Sequence, residues 1–326
     1  MVSAIGENRL MCDPDCVCKV INGKSGYIRD NGSWIIGRIV RDFDSWKDRR
    51  IESELQALLV QKHEDNIAAA EKVSKGSGAA VEKPKQAGLC VSVYKALPAT
   101  PGKPASDLVY WSGFFTAVLQ LGVAAIPCGI FGDWSIVLVT VVGIFLAFLT
   151  GSLPQWRREK WACREQSSKK VILTKGNGSQ HAIVVIGDGV GLDLEDLAAG
   201  ATSEGASASY STRILLIVLS MFWVLLLITA AGIKNNSWFL LAVGGIGILQ
   251  NIFAAGWRRK PEAFGVPLKF HEVISRTKVM ETLYAVEEKY PRVGRSMLDT
   301  YFPGGGLRPG EEAKWRDFKA IADNSR

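Results

Sequence analysis

The stretch Ile214–Ile233, reading ILLIVLSMFWVLLLITAAGI, constrains the chain more than any other. It carries no charge over a bilayer's worth of residues. A helix needs about 20 apolar residues to cross the hydrocarbon core. Its 13 Leu, Ile, Val and Phe residues favour insertion, by roughly 4 to 8 kcal/mol on a biological insertion scale. The stretch is expected to be a membrane span.

Three further runs fit the same reading. Leu108–Phe131 is a less apolar run that carries Gln120 and a late Pro127. Trp134–Leu153 follows after Gly132 and Asp133, so the two are expected to form a tight antiparallel hairpin. Trp238–Ala255 follows Ile214–Ile233 across a turn at 234–237, giving a second hairpin. The expected fold class is an α-helical integral membrane protein. It has four transmembrane helices as two hairpins, a small cytoplasmic β-hairpin loop and amphipathic cytoplasmic helices. Its segments are an N-terminal β/α part (1–74), a linker (75–107), hairpin one (108–156), a loop with a β-hairpin (157–212), hairpin two (213–257) and a tail (258–326).

Each hairpin closes on Trp-Arg-Arg. Trp156, Arg157 and Arg158 end the first, and Trp257, Arg258 and Arg259 end the second. Aromatic residues with cations just outside mark a helix end at the headgroups, so these six are expected membrane-interface anchors. Gly143, Ala147 and Gly151 recur every fourth residue in the second span; Gly247, Asn251 and Ala255 do so in the fourth. Small residues at that spacing let helix backbones approach, so these are the expected helix-packing positions. The short turns hold one lysine, whereas Lys95, Lys103, Lys160, Arg164 and Lys260 join the four arginines on the other flanks. By the positive-inside rule both termini and the middle loop are cytoplasmic. With no apolar run near the start, no cleavable signal is expected and the first span acts as the signal-anchor.

Outside the spans the reading is coarser. Residues 1–40 resemble a β meander, with strands at Cys16–Ile21, Tyr27–Arg29 and Trp34–Val40 separated by Asn-Gly and Asn22–Gly26 turns. Helical spacing of Ile51, Leu55, Leu58 and Leu59 predicts a helix from Asp48 to about Val73. Lys170–Thr174 and Gln180–Ile186 form a hairpin around Lys175–Gly178, and Leu192–Ala199 begins an acidic helix. Lys75–Ala80 and Ala201–Ser211 are flexible connectors by composition. Phe270–Lys289 is an amphipathic helix ended by Pro291, and Glu311–Ala322 is a closing one.

Motifs that could carry chemistry are incomplete. Gly23-Lys24-Ser25 lacks the glycine five residues upstream that a phosphate-binding loop needs; Cys18 stands there. Gly187-Asp188-Gly189-Val190-Gly191 stands between strand and helix, as a dinucleotide loop would. The third glycine position is Leu192, however, and Asp193, Glu195 and Asp196 would repel a phosphate. The spacing of a calcium loop is also absent. Ser179 and His181 share a strand face without a third group. Cys12, Cys16 and Cys18 have no neighbouring histidine and are read as free thiols. The spans contain no Asp, Glu, Lys, Arg or His, against the habit of ion-coupled transporters. Catalytic, cofactor-binding and metal-ligating residues are therefore expected to be none, and no cofactor is expected. The net charge of +7 is read for lipid contact and orientation, with no nucleic-acid partner. The expected partners are the lipid bilayer, cytoplasmic proteins or a second copy. The function expected is that of a non-enzymatic membrane scaffold, the alternative being an oligomeric channel or transporter component.

The runs Gln120–Pro127, Leu153–Ala162 and Lys175–His181 resemble segments in an uncharacterised group of multi-pass membrane proteins from filamentous fungi. The resemblance covers roughly residues 105 to 310. It implies a membrane setting and carries no catalytic residue.

Overall fold

The computed structural model describes residues 10–73, 82–84, 86, 88–103, 105–200, 208–304 and 306–324. The connector expected at Lys75–Ala80 lies outside them, as does most of that at 201–211. The chain divides into two compact units. A helical unit takes Met1–Cys12, Pro101–Ala162 and Ala201–Arg259; a sheet unit takes Asp13–Thr100, Cys163–Gly200 and Lys260–Arg326.

The sheet unit is built on six strands: β1 (Lys19–Asn22), β2 (Ile28–Asp30), β3 (Cys90–Ala96), β4 (Lys170–Thr174), β5 (His181–Ile186) and β6 (Leu268–Ser275). Their spatial order is β2-β1-β4-β5-β3-β6. β5 and β3 run parallel, in register from His181 opposite Cys90 to Ile186 opposite Lys95, and every other pair is antiparallel. Because side chains alternate between faces, the register sorts the strands into two apolar surfaces. Ile21, Ile172, Val184 and Val93 lie in one row, and Val20, Leu173, Ile183 and Ser92 in the other. All eight are buried. A sheet apolar on both faces must be covered on both.

The first row packs under α10 (Val279–Lys289), α11 (Val293–Tyr301) and α12 (Pro309–Asn324). Leu283, Val286, Val293, Met297 and Trp315 close that core. The opposite face meets α1 (Trp34–Arg41), α2 (Phe43–Trp46), α3 (Arg49–Val73) and α7 (Leu194–Ala199). Phe43 sits edge-on to His181 at 5.2 Å, and Trp46 to Tyr94 at 5.1 Å. The result is a three-layer helix–sheet–helix sandwich.

Several elements differ from the sequence expectation. Trp34–Val40 is helix, not strand: Ile35, Ile36, Ile39 and Val40 bury one helical stripe, a pattern of period 3.6 rather than 2. Cys90–Ala96, expected inside a linker, is the strand next to the sheet's centre, with six of its seven residues buried. The Gly and Pro residues around it masked its β-branched and aromatic content. Phe270–Lys289 is not one helix. Leu268–Ser275 is β6, and Arg276-Thr277-Lys278 separates it from α10. The N-terminal β1–β2 hairpin, the β4–β5 hairpin, α3 and α12 fall close to where sequence placed them.

The helical unit holds α4 (Leu108–Phe131), α5 (Ser135–Gly151), α6 (Pro154–Lys160), α8 (Tyr210–Ala231) and α9 (Ser237–Gly256). Three of these are long and apolar enough to cross a membrane, and four spans result if α5 and α6 count as one bent element. The second span was expected to run unbroken to Leu153. It breaks after Gly151 and turns by 43°. Pro154 has no N–H to continue the helix and holds Leu153 extended, at φ −57° and ψ 128°. α4 and α5 pack together, joined through Gly132 at φ 70°, a backbone that glycine adopts without strain. α8 and α9, expected to be each other's main neighbours, are not. α8 packs on α5 and α9 packs mainly on α4, because the apolar faces buried by Leu216 and by Val243 meet different partners.

Candidate functional surface

The largest unassigned feature of the helical unit is its outside. Only 11% of an 18-residue apolar stretch in α4, 11% of one in α8 and 6% of one in α9 is buried. Phe115, Val118, Leu227 and Leu249 are all at least 65% exposed. An apolar belt this extensive marks a surface that meets lipid or other protein. The interior is correspondingly thin. One small cluster joins Leu146, Leu153, Leu216 and Leu219, and another joins Ala124, Ile136 and Val243.

Polar groups tie the helices where that apolar packing is sparse. Gln250 donates to the Ser112 hydroxyl at 2.8 Å and accepts from Thr116 at 3.2 Å, linking α9 to α4. Gln120 donates to the Val243 carbonyl at 3.0 Å. A side chain at Gly247 would come within 3.0 Å of the Gln120 amide nitrogen, so glycine there keeps the bond accessible. At one end of the unit Asp107 caps α4 through the Tyr110 amide, at 3.0 Å, and accepts from Arg259 at 2.6 Å. At the other end Asp133 accepts from Ser135 and from Asn236 at 3.1 Å, tying the two short turns to each other. Hydrogen bonds from Ser135 and Asn236 hold its carboxyl below the usual range.

The expected anchors divide. The Trp156 indole N–H donates to the Thr150 carbonyl at 2.8 Å, and its ring packs on the Leu146–Leu219 cluster. Arg157, Arg158, Trp257 and Arg258 are exposed. Arg259 reaches Asp107. The expected packing residues divide as well. Gly143 faces Leu226 of α8 and Gly247 faces Gln120 of α4, whereas Ala147, Gly151, Asn251 and Ala255 point outward. Sequence reasoning missed Asp107, Asp133 and Glu159. The first two carry a readable signal, each being an acid immediately before an apolar helix, where it caps the free amides. Glu159 had none. Its carboxylate accepts the Leu10 and Met11 amides at 2.7 Å each, and Gln155 at 2.7 Å. This pins the N-terminal segment to α6.

In the sheet unit the motif residues are engaged in structure. The start of α7 is filled by its own Asp193, which accepts the Glu195 and Asp196 amides at 3.1 Å. Lys169 and Arg164 pair with the three acids there. Hydrogen bonding from Arg164 keeps the Asp196 carboxyl below its ordinary range. At Glu195 burial acts upward, and hydrogen bonds from Lys169 and Asn22 outweigh it. Gly187 lies where a side chain would come within 2.0 Å of the Ser167 carbonyl, so that glycine serves close backbone packing. Ser179 donates to the His181 backbone carbonyl at 3.0 Å, not to its ring. Burial, then Lys47, lowers the His181 pKa. A cleft with Asp44, Lys175, Ser179 and His181 in its wall measures only about 50 Å³. Burial pushes the Cys18 and Cys90 thiols up to about 12, which removes them as nucleophiles near neutral pH. Among the described residues no three His, Cys, Asp or Glu side chains gather as a metal site. Comparison with protein-family models, curated proteins and solved structures gave no match.

Proposed function

We propose that this chain is an integral membrane protein of four crossings that holds its sheet unit on the cytoplasmic side as a non-enzymatic scaffold. The topology of the sheet carries the reading. β1, β2 and β3 precede α4, β4 and β5 lie between α6 and α8, and β6 follows α9, yet all six hydrogen-bond in one sheet. An open sheet cannot be threaded through hydrocarbon. The three segments therefore share one side, and each intervening pair of apolar helices crosses an even number of times. α5, at 17 residues, is about 25 Å long, slightly under the core thickness. The tilted α6 and its Trp156, Arg157 and Arg158 then lie at headgroup depth. The basic flanks favour the cytoplasm as the shared side. The resemblance to fungal multi-pass proteins agrees with this setting.

The scaffold half of the reading rests on α3. Ile51, Leu55 and Leu58 are buried, and from Val60 to Ala70 no residue is. The helix continues about 22 Å beyond Leu58, with Val60 59% and Ile67 36% exposed. Such a projecting helix suits recruitment of a cytoplasmic protein.

Topology is tested with a glycosylation acceptor on a spacer inserted at Asn235. It should be modified, while the natural Asn177-Gly178-Ser179 acceptor, exposed on the β4–β5 turn, stays bare. Modification at Asn177 overturns the orientation. Proximity labelling should return cytoplasmic proteins that Val60→Lys with Ile67→Lys loses. Solute flux through vesicles holding the purified chain would overturn the scaffold in favour of a channel component.

A further inference from the structure

We infer that α9 is a self-association surface, and that two copies of this chain pair through the side-chain amide of Asn251; this rests on the membrane reading above. Asn251 is exposed on the outside of the helical unit. Among the described residues its amide has no side-chain or backbone partner, unlike Gln250 beside it, which reaches Ser112 and Thr116. It lies six residues before Trp257, so about 9 Å inside the interfacial end of the helix. An amide at that depth finds neither water nor a lipid group able to satisfy both its donor and its acceptor.

The surroundings suit one occupant. Gly244, Ile248, Asn251, Ile252 and Ala255 form one outward stripe of α9. Nothing lies within 4 Å of where a Gly244 side chain would be, so a neighbouring backbone can approach there. Ile248 and Ile252, 62% and 63% exposed, flank the amide with apolar surface. A carboxamide both donates and accepts, so it is complementary to itself. Two α9 helices related by a twofold axis would each satisfy the other's Asn251, the isologous arrangement of a symmetric dimer. A partner helix of different sequence would have to supply its own matched amide, which a second copy carries by construction.

The test uses the full chain, fluorescently labelled and reconstituted at graded density in phosphatidylcholine vesicles, with bleaching steps counted per particle. The wild type should move from one step to two as density rises. Asn251→Leu should raise the dissociation constant about tenfold, and Asn251→Gln, which keeps the amide, should stay near wild type. Single steps at every density, or an unchanged Asn251→Leu, overturn the dimer. An alkaline carbonate wash separates the two readings. A wild type that stays in the vesicles but bleaches in single steps sinks only the dimer. A wild type released by the wash sinks the membrane reading and the dimer with it.

Discussion

The sheet unit and the helical unit are held together in opposite ways. In the sheet unit three distant segments converge on a core in which Ile21, Ile172, Val184 and Leu283 lose all contact with solvent. In the helical unit the cores are small, and named polar bonds between Gln250, Ser112, Thr116, Gln120 and Val243 do much of the tying. Water drives the first arrangement by rejecting apolar surface. In the lipid setting proposed for the second, the solvent is as apolar as leucine and supplies no such drive, so close packing and hydrogen bonds are what remain. One substitution of the same kind should therefore cost very different amounts in the two units.

The largest difference is expected for a buried charge. Val184 is fully buried in β5, beside Ile172 and Val93. Val184→Asp places an unpaired carboxylate there, at a cost of about 4 kcal/mol or more. Limited proteolysis should then cut the sheet unit while the apolar helices remain resistant to carbonate extraction. Loss of both together would show that the helices depend on the sheet and would break the comparison. Next in size is Gly294→Ala. Its new methyl would lie 2.2 Å from the Leu283 carbonyl and 2.9 Å from the Glu287 amide nitrogen. Backbone on both sides cannot swing away, so overpacking should cost about 1–3 kcal/mol. The urea midpoint of the sheet unit reports it.

Legibility divides along the same line. Span α4 is placed by sequence to the residue, and α8 and α9 within four residues, because hydropathy over 20 consecutive residues is a local property. The exception, the break at Pro154, is also local. It was readable in the proline and was overridden by the apolar run before it. β3 and β6 were not legible. Val91 and Val93 acquire their meaning only from β5, one apolar helix pair further along the chain, and Ile274 from β3, two such pairs back. A strand's identity depends on its neighbours, and no window of sequence holds them. Among the candidate positions, a Cβ at Gly143 would meet Leu226 at 3.5 Å and one at Gly247 would meet Gln120 at 3.0 Å. Spacing could not say that Asn251 and Ala255 face away, since that depends on α9 choosing α4 over α8. Glu159 was hidden for a related reason: its partners, Leu10 and Met11, are almost 150 residues away.

A smaller effect is expected from pH. Asp196 and Glu195 hold their carboxyls below the ordinary range in the folded sheet unit. Unfolded, they return to about 3.9 and 4.3. A depressed folded value means that the stabilisation is present above the unfolded value and is lost as pH falls through the folded one. Urea midpoints measured from pH 7 down to pH 3 should be level at first and then fall. Arg164→Gln removes the bonds to Asp196 and should flatten that fall. An acid limb as steep as the wild type's would mean that other carboxylates govern it.

The smallest effect belongs to Gln250→Leu, and its smallness is the sharpest test of the contrast. The variant deletes the bonds to Ser112 and Thr116, which are the described side-chain ties between the outer halves of α4 and α9. In a water-soluble core, stranding two buried hydroxyls would cost about 1–3 kcal/mol for each. In a helix bundle within lipid each hydroxyl can turn back to a carbonyl of its own helix, as Ser112 already does toward Val109 at 2.9 Å. Separated helices also find other partners. The loss should therefore be about 0.6 kcal/mol per bond, read as a small shift in the detergent-denaturation midpoint of the helical unit. A shift several times larger would mean that α4 and α9 meet in a polar, water-accessible seam. The helical unit would then obey the same solvent as the sheet.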